Sequence, residues 1–182
     1  MAKKNKRKII DKLLTSLGLV VAIILVLAGG LALWAYVFTQ SSVRSELAAQ
    51  KIYFPPKGSP ALADPQIGPY LNKYAGQQLV TGEQAKAYAN HFIAVHLSKV
   101  ADGQTYAQVS AKAQADPGNA QLKQQAQTLF QGETLRGLLL GDAYAFSVIG
   151  HIAEIAAVVC FAGAAAMIIL VYLGAWHLST LP

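Results

Sequence analysis

Two long runs of apolar residues dominate the hydropathy pattern of the chain. Residues 17–38 read LGLVVAIILVLAGGLALWAYVF, residues 155–176 read IAAVVCFAGAAAMIILVYLGAW, and neither run contains a charged side chain. A helix of about 20 residues crosses a hydrocarbon core about 30 Å thick. Trp34 and Trp176 lie near the ends of the runs, as aromatic residues do at membrane interfaces. The pattern predicts an all-α membrane protein with two transmembrane helices.

The first run has two interpretations, an uncleaved signal anchor and a cleaved signal peptide. Its apolar stretch is longer than the apolar region of most signal peptides. Trp34, Tyr36 and Phe38 occupy the positions where the small residues of a cleavage site would be expected. These features favour a signal anchor, preceded by a tail at residues 1–16.

The segment between the runs changes character near residue 80. Five of the seven prolines fall within residues 51–69, a density that disfavours regular helix and predicts an extended strap over residues 39–80. Residues 81–135 have helical periodicity instead. Thr81 followed by Gln84 resembles a capping box at a helix start. An apolar stripe at helical spacing follows it, at Ala85, Tyr88, Phe92 and Val95.

Two more helices are predicted before the second apolar run. The first covers residues 106–115. Asp116 and Pro117 combine a capping acceptor with a proline in the first turn, so they predict the start of the second helix. Its apolar stripe comprises Leu122, Ala126, Leu129 and Phe130. Large apolar residues are few in this small region, so we expect these helices to pack on the strap, on each other, and on a partner or another copy.

Charge is unevenly distributed along the chain. The net charge is +6, and most of the excess precedes the first apolar run, at Lys3, Lys4, Lys6, Arg7, Lys8 and Lys12. Basic residues flanking a span favour the cytoplasmic side. The pattern predicts a plasma-membrane protein with cytoplasmic termini, including a short tail at 177–182, and with residues 39–135 outside. Nucleic-acid binding is not predicted, because that requires basic residues spread along a face with aromatic platforms.

Ionisable residues continue towards the second apolar run, in a predicted juxtamembrane helix at 136–154. If the last helix is long and runs into the second span, steps of about 100° per residue place six polar residues in a sector about 80° wide. Asp142 falls on the opposite side. We call these six residues the polar ribbon: Glu133, Arg136, Tyr144, Ser147, His151 and Glu154.

Three interpretations of the polar ribbon remain open. It is a solvated face at the headgroup level, a seam that pairs with a partner helix, or a site of chemistry. In the third case His151 and Glu154, three residues apart, are candidate metal ligands or members of a proton relay. Such a metal site needs more ligands than these two.

Small residues mark expected helix-packing positions. Gly29 in the first apolar run, and Ala157 and Gly163 in the second, allow close packing in lipid, and the simplest partner of each span is the other span. Gly137 and Gly141 have the same small-xxx-small spacing. They predict either close approach of another backbone or a break in the helix.

No catalytic or cofactor motif is recognisable. The chain lacks G-x-S-x-G, H-E-x-x-H, a phosphate-binding P-loop and a dinucleotide fingerprint. Its single cysteine, Cys160, lies in the second apolar run and is read as a small packing residue. The sequence predicts a non-enzymatic membrane protein without a cofactor, an accessory or structural subunit or a self-assembling component. The alternatives are a transport or ion-relay component and, third, a metal-dependent enzyme.

Three stretches carry a resemblance to a known group of proteins. They are LVTGEQAKAYANHFIAVHL at 79–97, GQTYAQVSAKAQADP at 103–117 and LFQGETLRGLLLGDAYAF at 129–146. Together they resemble small two-span membrane proteins of actinobacteria, for which no activity is established. The resemblance implies two spans with an outer helical segment between them, and it implies nothing about a substrate or cofactor.

Overall fold

The computed structural model describes the backbone of residues 2–180 and the side chains of residues 6–180. The side chains of Lys3 and Lys4, and the end of the predicted tail at 181–182, lie outside the described residues. Within the described range the chain is all-helical, with 83% helix and no strand. An isolated antiparallel bridge pairs Tyr53 with Gln78. The prediction of an all-α fold is confirmed.

Contacts divide the chain into two units. The terminal unit combines residues 1–38 with residues 149–182, and the central unit comprises residues 39–148. In the described part of the chain, two helices are long and apolar enough to cross a membrane. They are the first helix, α1, and the helix that ends at Thr180.

Helix α1 runs from Ala2 to Gln50, twelve residues beyond the predicted end at Phe38. Residues 39–50 contain neither proline nor glycine, and Val43 and Leu47 are buried one turn apart. The helix therefore continues into the region that we predicted as strap. It stops where Lys51 adopts a left-handed conformation, with φ of 55°, which is a common way for a helix to end.

The last helix is continuous from Ala120 to Thr180. It consists of α7 (Ala120–Leu138), a π-helical segment (Leu139–Ala145) and α8 (Phe146–Thr180). Gly137 lies within α7 and Gly141 within the π-helical segment, so neither glycine breaks the helix. The prediction that the last helix runs into the second apolar run is confirmed.

In the terminal unit, α1 packs against α8 through small residues. Gly18, Ala22 and Gly29 are buried on α1, at spacings of four and seven residues, and Ala157 and Ala164 are buried on α8. A β-carbon at Gly29 would lie 3.0 Å from the ring of Phe161. Large apolar side chains on the other faces are exposed, among them Leu27, Leu31, Ile155, Val158 and Leu170. Such faces suit lipid rather than water.

In the central unit, the proline-rich segment is not a simple extended strap. It forms two one-turn helices, α2 (Pro60–Ala63) and α3 (Gly68–Leu71), followed by a 3₁₀ turn (Asn72–Tyr74). Each of the two helices has proline in its first turn, where the missing N–H costs nothing. The segment contributes Phe54, Leu62, Ile67, Leu71 and Leu79 to the buried core of the unit.

A second helical stretch covers the other side of this core. It comprises α4 (Gly82–Ala87), a π-helical segment (Tyr88–Ile93) and α5 (Ala94–Val100). Its buried hydrophobic residues recur every fourth position, at Ala85, Ala89, Ile93 and Leu97. A π-helical turn is wider than the 3.6 residues of an α-helical turn, so this spacing remains on one face. The predicted stripe shares Ala85 with it, and its other members are half-buried at the edge of the core.

Local helix signals were read correctly at two starts and wrongly at a third. The capping box of Thr81 and Gln84 is confirmed, and α6 (Tyr106–Ala115) has the predicted bounds. The predicted start at Asp116 and Pro117 is wrong. Asp116 ends α6, since its N–H donates to the carbonyl of Lys112, and Asn119 caps α7 by accepting from the N–H of Leu122.

The predicted stripe of the last helix is also corrected at one residue. Leu129 is buried, but Phe130 is 52% exposed. Its ring lies 5.7 Å from the ring of Tyr106. Leu129 and Phe130 are adjacent, about 100° apart on the helix, so only one of them can face the core.

An ion pair joins the proline-rich segment to α5. Lys99 donates to Asp64, which also accepts from the N–H of Gln66. The hydrogen bond from Lys99 is the main cause of the lowered pKa of Asp64, followed by that from Gln66, and nearby His96 adds a smaller effect.

The free energy of unfolding should therefore depend on pH through Asp64. Because its pKa is lowered on folding, the contribution is complete above the ordinary value of 3.8 and is lost as pH falls through the lowered pKa. We expect Asp64→Asn to reduce the melting temperature slightly at pH 7, with the difference from wild type shrinking below about pH 4. Lys99→Met should reproduce this profile. A difference that persists unchanged in acid would contradict the assignment.

Candidate functional site

The residues of the polar ribbon lie on both sides of a π-helical segment. The π-helical segment Leu139–Ala145 turns less per residue than the 100° step of an α-helix, so positions before it lose register with positions after it. Ser147 is buried, whereas Glu133 and His151 are exposed. The six residues make four separate contacts, three in the central unit and one in the terminal unit.

The first contact is an ion pair on the surface of α7. Arg136 Nη1 donates to Glu133 Oε2 over 2.9 Å and to Oε1 over 3.2 Å. The two residues are three apart, as expected for neighbours along a helix. A partly exposed pair of this kind contributes little to stability. Both oxygens of Glu133 are occupied by this arginine.

Tyr144 contacts α4. Lys86 Nζ donates to Tyr144 Oη over 2.9 Å and lies 4.5 Å from the centre of its ring. The hydrogen bond to Tyr144 is the main cause of the raised pKa of Lys86. The lysine is therefore held in its charged form at neutral pH, which suits a structural contact and not a nucleophile or base.

Ser147 belongs to a buried polar contact with α1 and α4. Its Oγ donates to Gln40 Oε1 over 3.1 Å, and Gln40 Nε2 donates to the carbonyl of Ser147 over 3.0 Å. Gly82 packs on the same serine, and a β-carbon there would lie 2.8 Å from Ser147 Oγ. The serine hydroxyl is satisfied by the protein itself, so it does not present a free group to a ligand.

His151 and Glu154 form a pair in the terminal unit. His151 Nδ1 lies 3.1 Å from Glu154 Oε2, both side chains are about half exposed, and the ring of Tyr36 lies 5.9 Å from that of His151. Among the described residues no group of three or more His, Cys, Asp or Glu side chains could hold a metal ion. The pair thus consists of two side chains from one helix, and these side chains contact each other.

The other three histidines lie apart. The ring of His91 stacks on Tyr70 with centroids 3.5 Å apart, and burial lowers the pKa of His91. His96 Nδ1 lies 2.8 Å from the carbonyl oxygen of Phe92, one turn earlier. His177 lines a cavity of the terminal unit. The first two histidines serve the packing of the central unit.

A groove in the central unit is the strongest candidate site. It has a volume of about 270 Å³ and lies between the end of α1 and the junction of α7 with the π-helical segment. Val43, Leu47, Leu139 and Ala143 are buried and form its apolar floor. Leu138, which is 53% exposed, and Phe146 form open apolar walls. The groove is therefore an apolar surface that water reaches.

Two carboxylates lie at the rim of this groove. Glu46 and Asp142 line it and are exposed. Among the residues whose side chains are described, ion pairs join Lys99 to Asp64, Arg136 to Glu133 and His151 to Glu154. Neither rim carboxylate takes part in these pairs. The groove thus combines an apolar floor with two exposed carboxylates that lie outside the ion pairs of the described side chains.

Sequence reasoning did not find the groove. The sequence predicts Asp142 only as a residue opposite the polar ribbon, and it places Glu46 in the region predicted as strap. The available signal was Val43 with Leu47, an apolar pair at helical spacing directly after the first apolar run. That signal shows a continued helix, but it does not reveal which later residues face it.

The glycines expected at packing positions have different surroundings. A β-carbon at Gly163 would lie 3.4 Å from Leu25, and a β-carbon at Gly29 would lie 3.0 Å from Phe161. Gly137 and Gly141 have nothing within 4 Å of a β-carbon position and are exposed.

In comparisons with known proteins, no family model, curated protein or solved structure matches the chain.

Proposed function

We propose that the protein is a non-enzymatic membrane protein that acts as an accessory subunit of a membrane complex, with the groove of the central unit as its docking surface. The observation that carries this proposal is the groove itself, an open apolar surface with two exposed carboxylates. Exposed apolar surface of this kind in a folded unit is typical of an interaction site. The two apolar helices, α1 and α8, would hold the subunit in the plasma membrane.

The proposed orientation follows from charge. Exposed basic residues at Lys6, Arg7, Lys8 and Lys12 precede the first apolar run. Such clusters stay on the cytoplasmic side of a membrane. Both termini would then be cytoplasmic, and the central unit, with its groove, would lie outside the cell membrane.

The partner fitted by the groove is a helix with an apolar face and a basic residue. Leu138 and Phe146 offer side walls for apolar side chains, as in grooves that receive amphipathic helices. Glu46 and Asp142 would then pair with a lysine or arginine of the partner. Two copies meeting groove to groove would place like charges together, which disfavours self-association through this surface. We therefore propose a different subunit as the occupant.

The test is a substitution on the exposed wall of the groove. Leu138→Asp should reduce recovery of the partner at least tenfold when the tagged chain is purified in mild detergent, because it adds negative charge to an apolar contact. Tyr53→Asp is the matched control: Tyr53 is 58% exposed and lies outside the groove. It should leave recovery unchanged.

A photo-crosslinker at Phe146 identifies the occupant. We expect it to label a helical segment of another protein that contains lysine or arginine beside apolar residues. Glu46→Lys combined with Asp142→Lys should weaken the same crosslink. Full partner recovery with Leu138→Asp, or a crosslink to a second copy of this chain, would contradict the proposal.

A further inference from the structure

Residues 6–12, near the beginning of α1, carry a dense cluster of cationic side chains. We call it the N-terminal basic cluster, and its members, all exposed, are Lys6, Arg7, Lys8 and Lys12. Asp11 is the acidic residue of this segment, and the four basic residues and this acidic one give it a net charge of +3. None of the ion pairs among the described side chains includes a member of the cluster. Its charge is therefore available to an anionic partner.

The same part of α1 exposes large apolar side chains. Each is 55–64% exposed, and together they comprise Ile9, Ile10, Leu13, Leu14 and Leu17. At about 100° per residue they occupy a sector about 140° wide, and Arg7, Lys8 and Lys12 lie outside it. Lys6 is in line with this sector, at the end farther from the first apolar run. An apolar sector beside cationic side chains is typical of helical segments that contact both acyl chains and anionic headgroups.

The distance of the cluster from the first apolar run matches the depth of lipid headgroups. A helix rises 1.5 Å per residue, so Lys12 lies about 8 Å and Lys8 about 14 Å before Leu17, the first residue of that run. Phosphate groups occupy the polar layer outside the hydrocarbon core, which is roughly 5–8 Å thick on each side. Lys12 would lie at the outer edge of this layer, and Lys8 within about one Debye length of it.

We propose that the N-terminal basic cluster binds phospholipids with a net negative headgroup in the cytoplasmic leaflet. Charge complementarity selects this occupant, because juxtamembrane basic clusters are attracted to anionic lipid surfaces. Ammonium and guanidinium groups also donate charge-assisted hydrogen bonds to phosphate oxygens. A soluble polyanion would pair with the charges but leave the apolar sector in water. This inference rests on the terminal unit lying in a bilayer, as in the proposed function, and does not involve the groove or its partner.

Native mass spectrometry of the detergent-purified full chain tests this inference. Phosphatidylglycerol, which is anionic, and phosphatidylcholine, which is zwitterionic, are added together in equal amounts and with identical acyl chains. At low salt the wild-type chain should retain phosphatidylglycerol about tenfold more than phosphatidylcholine. Raising ammonium acetate from about 0.02 M to about 0.5 M should reduce this preference severalfold, because salt screens exposed charges. Equal retention of the two lipids by the unaltered chain would overturn the proposal, however any variant folds.

A variant without these charges assigns the preference to the cluster. It combines Lys6→Gln, Arg7→Gln, Lys8→Gln and Lys12→Gln, since glutamine removes the charge and keeps good helix propensity. Its preference for phosphatidylglycerol should be about fivefold weaker than that of wild type, or weaker still. The matched control changes four exposed lysines of the central unit, with Lys57→Gln, Lys73→Gln, Lys112→Gln and Lys123→Gln. The control loses the same amount of charge and should keep the wild-type preference.

Three outcomes would contradict the assignment to lipid at this cluster. They are an undiminished preference in the variant, an equal loss of preference in the control, and displacement of phosphatidylglycerol by millimolar inorganic phosphate at matched ionic strength. The last outcome would identify the ligand as a soluble anion. Failure of the lipid test together with loss of the partner in Leu138→Asp would leave the proposed function standing.

Discussion

Gln84→Leu should destabilise the central unit by about 2–4 kcal/mol, since two backbone donors lose their acceptor. Gln84 is 6% exposed. Its Oε1 accepts from the N–H of Val80 over 2.8 Å and from the N–H of Thr81 over 3.1 Å. Its Nε2 donates to Gln77 Oε1 over 3.3 Å. Leucine keeps similar bulk but accepts no hydrogen bond, so the cost comes from unpaired groups and not from a cavity.

A second capping box in the same unit supplies the control. Gln108 Oε1 accepts from the N–H of Thr105 over 2.9 Å at the start of α6, in an exposed setting. Water can replace the lost acceptor there, so Gln108→Leu should cost only about 0.5–1 kcal/mol. Reversible unfolding in detergent, followed by circular dichroism, measures both variants. Equal losses of stability in the two variants would contradict burial of Gln84 as the cause of its larger expected effect.

Features encoded by neighbouring residues were predictable from the sequence. Thr81 and Gln84 are three residues apart, so their capping box can be recognised without knowledge of the rest of the fold. The bounds of α6 follow from similarly local signals. The two apolar runs are long enough that their composition alone indicates candidate spans. Two local signals compete after α6: the sequence predicts Asp116 as the cap, and Asn119 is the cap observed.

Features that depend on distant residues were not predictable. The groove forms because residues 42–50 meet residues 135–146, almost a hundred positions later in the chain. The sequence does not predict the π-helical segments. In the structure, the burial of Ala85, Ala89, Ile93 and Leu97 at every fourth position fits the segment Tyr88–Ile93. An angular calculation with a constant 100° step fails across such a segment. The angles of Glu133 and Arg136 relative to His151 and Glu154 therefore differ from the calculated ones. Ser147 is buried, as in a packing seam and unlike a solvated face.

Gly132→Ala and Gly137→Ala should change stability in opposite directions, although both glycines lie in α7. A β-carbon at Gly132 would press on buried Leu97, with Leu97 Cδ1 only 2.8 Å away. Leu97 packs in the core and has little room to move, so we expect a loss of about 1–3 kcal/mol. Gly137 has nothing within 4 Å of its β-carbon position. Alanine there should gain up to about 1 kcal/mol from its higher helix propensity.

Gly137→Ala also distinguishes an effect on stability from an effect on assembly. Gly137 does not line the groove, so under the proposed function Gly137→Ala should raise the melting temperature and leave partner recovery unchanged. If a partner instead packs its backbone against Gly137, as the small-xxx-small spacing with Gly141 predicts, alanine should raise the melting temperature but reduce recovery. Melting temperatures and partner recovery measured on the same detergent preparations distinguish the two. A stabilised Gly132→Ala would contradict the tight contact with Leu97.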